Sequence, residues 1–561
     1  MKRGWMIMIA FVLVLLPVLS ACSKTAEEPK TSASPSASAS QEPKASASPA
    51  ASASAAPANT NKYNPPITLT TVGKVLPTVK YAAGDSADNN PWTRAYESEF
   101  GIKLKYLWTV DPTQWEQKTN LMIASGDIPD FFLANGVQFK QLVEAGLLAD
   151  MTEAYAKAPD SVKKVLTEGG DQPLKSATVD GKLMAIPWTG VPREGSQMIW
   201  VRMDWLKKLN LPEPKTMDDV LKISAAFTAQ DPDGNGKNDT FGLALDKDFV
   251  TLTGFFNGYG AYRDIWLKDA SGKLVYSTIQ PAMKTALQKL QDMTKQGQID
   301  PEFGTKAFAK VAESIVNGKI GLMYNSPYSG LYPLQSGKDN DPAMEWKAFP
   351  VVSADGQQPK NQTDLGVVGY WVVKKGVKQP EALFKMIDFW IKTFYDNKED
   401  DIYKKYVNDG NVEIWQMNAI AVYKAFKNAD QKIKVTKALE TKDTSNLTGD
   451  DKGVYNNIQK FLGGDNSSWG WNSIFGKDGS MGVTDQYRQN NQYIANEFIT
   501  SPLPAQVEKG PALDKMKNEL FTKIILGTAS IDQFDKFVED WKKNGGDEIT
   551  KEVNDWYAKN K

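Results

Sequence analysis

Histidine is absent from the 561 residues. Its absence removes the commonest acid–base side chain and a favoured zinc ligand, and excludes Ser-His-Asp and Cys-His nucleophile systems. Cysteine is nearly absent too: Cys22 stands alone, so the chain cannot close an internal disulfide. No sign of charge prevails, with 66 basic and 67 acidic residues, a net charge of −1 and no long block of either. Nothing in that balance points to nucleic acid or a polyanion as partner. One long apolar run, from Met6 to Leu16, is present, and it is shorter than the roughly 20 residues a membrane span needs. Carboxylate-pair chemistry remains possible, because glycosidases need only two Asp or Glu.

The lone cysteine sits in a telling place. Lys2 and Arg3 give a positive start, the apolar run follows, and Leu19-Ser20-Ala21-Cys22 closes with small residues before the thiol. This tetrad resembles the lipobox of bacterial lipoproteins, which implies that residues 1–21 are a signal peptide and that Cys22 is the lipidation site (palmitate and related chains). From Ser23 to Lys62 there is no aliphatic residue larger than alanine and no aromatic. Such Ser/Ala/Pro composition cannot offset chain entropy by burial, so residues 22–62 are expected to be a lipid-anchored, disordered linker. About 40 flexible residues span roughly 35 Å, enough to hold a folded body off a membrane. The expected location is the extracellular face of the cell membrane, with a Gram-positive cell the best fit.

The remaining stretch, from Tyr63 on, is about 500 residues, long enough for two or three domains. Strands are expected at Thr68–Val72, Lys80–Ala82, Ile102–Trp108, Phe131–Ala134, Met198–Arg202 and within Thr363–Lys375. Helices are expected at Pro91–Phe100, Thr113–Ala124, Phe139–Ala145, Asp204–Leu209 and Lys378–Thr393, and helices prevail after Asn397. Asp180-Gly181 reads as a hairpin turn, and Thr216-Met217-Asp218-Asp219 as a capping box with Asp219 in place of glutamate. This alternation predicts sheets flanked by helices, an α/β fold.

Several phrases resemble those of extracellular solute-binding proteins of ABC sugar importers. They are Leu121-Met122-Ile123-Ala124-Ser125-Gly126-Asp127-Ile128-Pro129-Asp130, Gly181-Lys182-Leu183-Met184-Ala185-Ile186-Pro187-Trp188 and, most strongly, Arg202-Met203-Asp204-Trp205-Leu206-Lys207-Lys208-Leu209-Asn210-Leu211-Pro212. Gly545-Gly546-Asp547-Glu548-Ile549 with Trp556-Tyr557 adds another near the end. The chain is similar to the large oligosaccharide-binding lipoproteins of family 1. The resemblance implies a two-lobed, hinged, type II periplasmic-binding-protein-like fold that closes on its ligand. Lobe one maps to 64–185 plus 365–430, and lobe two to 186–364 plus 431–561. It also implies no enzymatic activity, an oligosaccharide as ligand, ABC permease subunits as partners and a monomer. Three other readings stay open: the same fold binding a peptide or other polar solute, a surface glycan sensor, and a two-carboxylate glycoside hydrolase.

Asp231-Pro232-Asp233-Gly234-Asn235-Gly236-Lys237-Asn238-Asp239 places oxygen donors at positions 1, 3, 5 and 9 of an EF-hand-like loop, with Gly236 at the turn. Asp231, Asp233, Asn235, the Lys237 carbonyl and Asp239 are the candidate ligands of a structural Ca2+. Position 12 is Gly242 instead of the bidentate glutamate, and Thr240 stands where relatives often carry an acid, so the coordination shell is incomplete on paper. For a sugar cleft, aromatic rings beside Gly, Pro or Asn at strand ends are the candidates, since rings pack against sugar C–H faces. Trp188 leads, followed by Asn90 with Trp92, Tyr259, Tyr328, Trp371, and Trp469 with Trp471 as a stacking platform; Asp130, Asn135 and Arg193 are the polar candidates. The same rings also fill cores, which is the commoner fate of a tryptophan.

Overall fold

A computed structural model describes residues 61–77, 79–190, 192–410 and 412–560. The expected leader 1–21, Cys22 and the linker as far as residue 60 lie outside the described residues. The last two residues of that linker are docked: the Lys62 ammonium donates to the Ser98 carbonyl at 2.7 Å, and Lys385 reaches the Asn61 carbonyl at 2.6 Å. Residues 59–561 form one compact unit.

Two large hydrophobic cores lie within that unit, and neither is made of one stretch of chain. The first draws on residues 69–186 and 370–422, the second on residues 199–352 and 498–553. At the first core a three-stranded antiparallel sheet runs Phe131–Ala134, Val367–Val373, Ile186–Thr189. Every residue of Phe131–Ala134 is buried, which is what an unbroken apolar run of four predicts for a strand covered on both faces. A parallel pair, Ile67–Lys74 with Ile102–Val110, flanks it. The second core holds a four-stranded sheet in the order Trp346–Phe349, Met198–Arg202, Ile320–Asn325, Phe241–Leu243, antiparallel except for its last pair. A separate helical cluster, residues 435–481, packs Val435, Leu447, Ile458 and Phe475.

Most expected elements form at or near their predicted bounds. The Thr216–Asp219 capping box closes the helix Met217–Ala229, with Asp219 Oδ2 accepting from the Thr216 N–H at 3.0 Å. The hairpin at Asp180-Gly181 joins two strands of two residues each. Lys80–Ala82 is a correction: it is loop, not strand. None of the three pairs with a described strand, and Lys80 and Ala82 stand exposed to solvent.

The chain crosses between the cores at three places that lie side by side. Gly190 donates to Gly366 at 2.9 Å, and Tyr423 donates to the Thr189 carbonyl at 3.2 Å. Just beyond, the buried Glu194 side chain accepts from the Asn428 and Ala429 N–H groups at 2.6 and 2.8 Å and from Asn428 Nδ2 at 3.0 Å. It caps the helix Lys427–Thr441, so one crossing segment is tied to the element that follows another.

Candidate functional site

The strand Ile67–Lys74 ends at Lys74, Ile102–Val110 presents Tyr106 and Thr109, and the helix Trp115–Ser125 begins with Trp115. Their ends meet the central sheet at Trp188 and Trp371, and the segment 415–423 closes the far wall. Between them lies a cavity of about 430 Å³, within the range of small-ligand sites. Eight aromatic residues line it: Tyr81, Tyr106, Trp115, Trp188, Trp371, Trp390, Trp415 and Tyr423. Thr109, Gln416 and Asn418 supply polar groups, and Lys74 is the one charged residue among the described lining.

The rings support one another. Trp188 lies 5.9 Å from Trp371 and 6.1 Å from Tyr423, centroid to centroid, and Tyr423 meets Trp390 edge-on at 5.9 Å. Indole N–H groups anchor the wall: Trp371 donates to the Ala421 carbonyl at 2.9 Å and Trp390 to Val422 at 2.8 Å. Trp188 differs, because its buried Nε1 has no hydrogen-bond partner. The Lys74 ammonium sits 5.4 Å from the Trp115 ring and 5.9 Å from the Trp188 ring. Burial there holds its pKa below the usual lysine value, and burial pushes the Tyr423 phenol up to about 12. A wall of rings with few, spaced polar groups suits a ligand with flat C–H faces and an oxygen-rich rim.

Of the eleven residues expected at a ligand cleft, the structure brings only Trp188 and Trp371 together. Asn90 is fully buried, its Oδ1 capping the helix Pro91–Ala95 and its Nδ2 donating to Ser86 and Ala87. Trp92 is also fully buried, its indole N–H shared between the Tyr406 and Ile414 carbonyls at 3.1 Å each. Asp130 ties two strands by accepting from Thr70 N and Oγ1, and Asn135 caps the helix Gly136–Glu144. Arg193 stacks over Tyr493 at 5.3 Å. Tyr259 packs against Phe255 with its hydroxyl buried and unpartnered, which pushes its pKa up to about 12. The Tyr328 hydroxyl accepts from Asn428 beside Glu194. Trp469 is buried and donates to Glu345, whereas Trp471 belongs to another cluster beside Phe475, so the two form no common platform.

Sequence reasoning missed Lys74, Tyr81, Tyr106, Trp115, Trp390, Trp415 and Tyr423. Trp115 fitted the apolar face of its helix, which hid it. Trp415-Gln416-Met417-Asn418, an aromatic amid polar residues without periodicity, was the one local signal available.

A second groove, of about 770 Å³, runs between segments of both cores from Phe139 and Tyr370 to Ile499–Leu503 and Trp556. It carries charged residues of both signs and only three rings.

The Asp231–Asp239 loop turns as its glycines require, with φ +74° at Gly234 and +73° at Gly236. Asp231 accepts the Asn235 and Gly236 N–H groups at 3.0 and 3.1 Å, and Asn235 Nδ2 bridges Asp233 at 2.6 Å and Asp239 at 3.0 Å. The positive charge nearest these carboxylates is Lys319, at 2.7 Å from Asp239 and 3.4 Å from Asp233. It holds the Asp239 carboxyl below the usual range, as does the Asn235 amide. Among the described residues no group of three or more His, Cys, Asp or Glu is set to hold a metal. The donor chemistry of the loop suits a hard cation, but this arrangement is closed by ammonium and amide. Position 12 has no room for glutamate: a Cβ on Gly242 would meet Ser224 Oγ at 2.0 Å. Thr240 is buried, donating to the Phe227 carbonyl at 2.8 Å.

Known proteins resemble this chain in sequence and in fold. The chain is 26% identical over 503 residues to lipoprotein LipO of Bacillus subtilis, covering 85% of this chain and 90% of LipO. It is 24% identical over 482 residues to the polygalacturonan/rhamnogalacturonan-binding protein YtcQ of the same organism, covering 82% and 86%. Among solved structures, an EF-hand mutant of FusA, an ABC-transporter substrate-binding protein of Streptococcus pneumoniae in complex with fructo-nystose, superposes with a TM-score of 0.53. That match is 16% identical and covers 88% of this chain and 99% of FusA. The fold is that of the two-lobed solute-binding proteins. The model of the bacterial extracellular solute-binding protein family matches residues 80–393, more than half of the chain, and the chain belongs to that family.

Proposed function

We propose that this protein captures an oligosaccharide outside the cell and delivers it to an ABC permease, without chemistry on the sugar. The aromatic cavity carries the reading: eight rings around about 430 Å³, with Trp188 and Trp371 at its floor. Rings stack on sugar C–H faces, while Thr109 supplies a polar group for sugar hydroxyls. The binding, not catalytic, character of the family and of FusA and YtcQ supports it. Lobe one (64–185 plus 365–430, together with the strand Ile186–Thr189 that sits in its sheet) and lobe two (the rest of 186–364 plus 431–561) close about the three crossing segments. Ligand contacts made in the closed state then tell a permease that the receptor is loaded. Cys22 tethers the monomer to the membrane through lipid.

The loop at 231–239 takes a structural Ca2+ in this reading, held by Asp231, Asp233, Asn235, the Lys237 carbonyl and Asp239, with Lys319 displaced. The EF-hand named for FusA supports it. Its contribution is to pin the loop between the helix Met217–Ala229 and the strand Phe241–Leu243.

A thermal-shift screen in calcium buffer against plant, algal and microbial oligosaccharides tests the function. A ligand at a hundred times its dissociation constant adds about 2.7 kcal/mol to the competent state. An upshift confined to one glycan class supports the proposal; silence across glycans with an upshift for peptides or other solutes refutes it.

A further inference from the structure

Resting on the sugar-binding reading, we propose that the aromatic cavity is built for an acidic oligosaccharide, one whose sugar at this position is a uronate. The carboxylate would pair with Lys74 while the pyranose face packs on the indoles.

Lys74 carries the argument. It is the one charged residue among the described lining, which holds no aspartate or glutamate. Among the described residues its ammonium has no hydrogen-bonding or ion-pair partner; its contacts are the Trp115 and Trp188 rings. A cation held between two ring faces loses hydration and regains only part of that loss from the rings. Burial has already lowered its pKa, so the charged form is under-compensated. A ligand carboxylate restores that balance with a charge-assisted hydrogen bond, stronger than one to a neutral hydroxyl.

The neutral-sugar alternative fits the lining less well. Hydroxyl-rich ligands donate as well as accept, and carboxylates are the acceptors that serve such donors best. Here the described lining offers amides, a threonine and phenols, and the only ion is a donor. A uronate matches it: its acid group is acceptor-only when ionised, and its ring keeps an apolar C–H face for stacking. The chain's net charge of −1 does not oppose this, since the attraction comes from one placed ammonium and not from a field over the surface.

The test is calorimetric titration of the intact chain at about 0.15 M salt. The probes are trimers of galacturonate, mannuronate, guluronate and glucuronate, each beside its carboxyl-reduced neutral counterpart, with a neutral fructan trimer as a further control. The expected result is one acidic trimer bound at least ~10-fold tighter than its reduced form, an advantage that shrinks as salt rises. Lys74→Met should bring the two affinities within about 2-fold, and Lys74→Arg should keep most of the difference. Melting curves of both variants confirm that they fold. Equal affinity for acidic and reduced trimers, or a preference unchanged in Lys74→Met, overturns the inference. Binding of neutral glycans alone overturns it while leaving the sugar receptor intact. No heat from any glycan, acidic or neutral, sinks the underlying reading with it.

Discussion

Glu194 gives the sharpest test of how the crossing segments are held. Its side chain is fully buried, and burial pushes its pKa from the usual 4.5 up to about 7, against the pull of the Ala429 and Asn428 donors and of Lys427. A raised carboxyl pKa means that the native state holds a proton the unfolded chain has released. The resulting contribution to stability is fully present below about pH 4.5 and is lost as pH climbs through 7. Between about pH 5 and pH 8 the linkage amounts to about 2–3 kcal/mol, at roughly 1.4 kcal/mol per pH unit of displacement. Glu194→Gln keeps an acceptor for the two helix N–H groups and removes the ionisation. Its urea midpoint should match the parent near pH 5, exceed it near pH 8, and flatten the pH profile by that amount. Glu194→Ala leaves two backbone donors and one Asn428 amide hydrogen unpaired and should cost about 2–5 kcal/mol near pH 5 and less near pH 8, where the parent has lost its own proton-linked contribution. A parent profile that is flat, or that keeps the same slope in the glutamine variant, refutes the assignment of the titration to Glu194.

Three further outcomes follow from the geometry. Trp188→Ala, which removes a half-buried cavity ring, should weaken glycan binding by about 10-fold or more in titration, with a smaller effect on the melting temperature than Trp390→Ala, whose ring is fully buried. Chelation of calcium should lower the melting temperature of the parent but not of an Asp231→Asn/Asp233→Asn double variant; an unchanged parent would remove the ion from the proposal. Gly242→Ala drives a Cβ into Ser224, at 2.0 Å from Oγ and 2.4 Å from the carbonyl, and should destabilise by about 1–3 kcal/mol or more in denaturant titration.

How much could be read in advance depends on whether the cause is local. The strand Phe131–Ala134 and the Thr216 cap sit where neighbouring residues alone dictate them. Asn90-Pro91 carried its own answer, a capping residue followed by proline at the first helical position, but the run of polar residues before it read as a ligand loop. The cavity was not legible, because its rings come from segments between residues 81 and 423 that only the crossovers assemble. Trp115 and Trp390 fall on helix positions whose periodicity says core, and nothing in a periodicity distinguishes a core ring from one that walls a cavity. Lys74 was invisible for the converse reason: at the end of a strand, a lone lysine reads as solvent-facing.

Neither core is complete in a contiguous stretch, and that sets an order on how the protein can be made. An N-terminus-first chain cannot close its first core until residues near 422 have emerged, nor its second until those near 553. Until then the all-buried strand Phe131–Ala134 lacks its partner Val367–Val373, more than two hundred residues downstream. Pairings of such sequence separation fold slowly and leave strand edges open in the meantime. A nascent or truncated chain is therefore a client for chaperones rather than half a receptor, and removing the C-terminal helix Asp547–Lys559, which places Ile549 and Val553 in the second core, should strand the earlier segments unfinished.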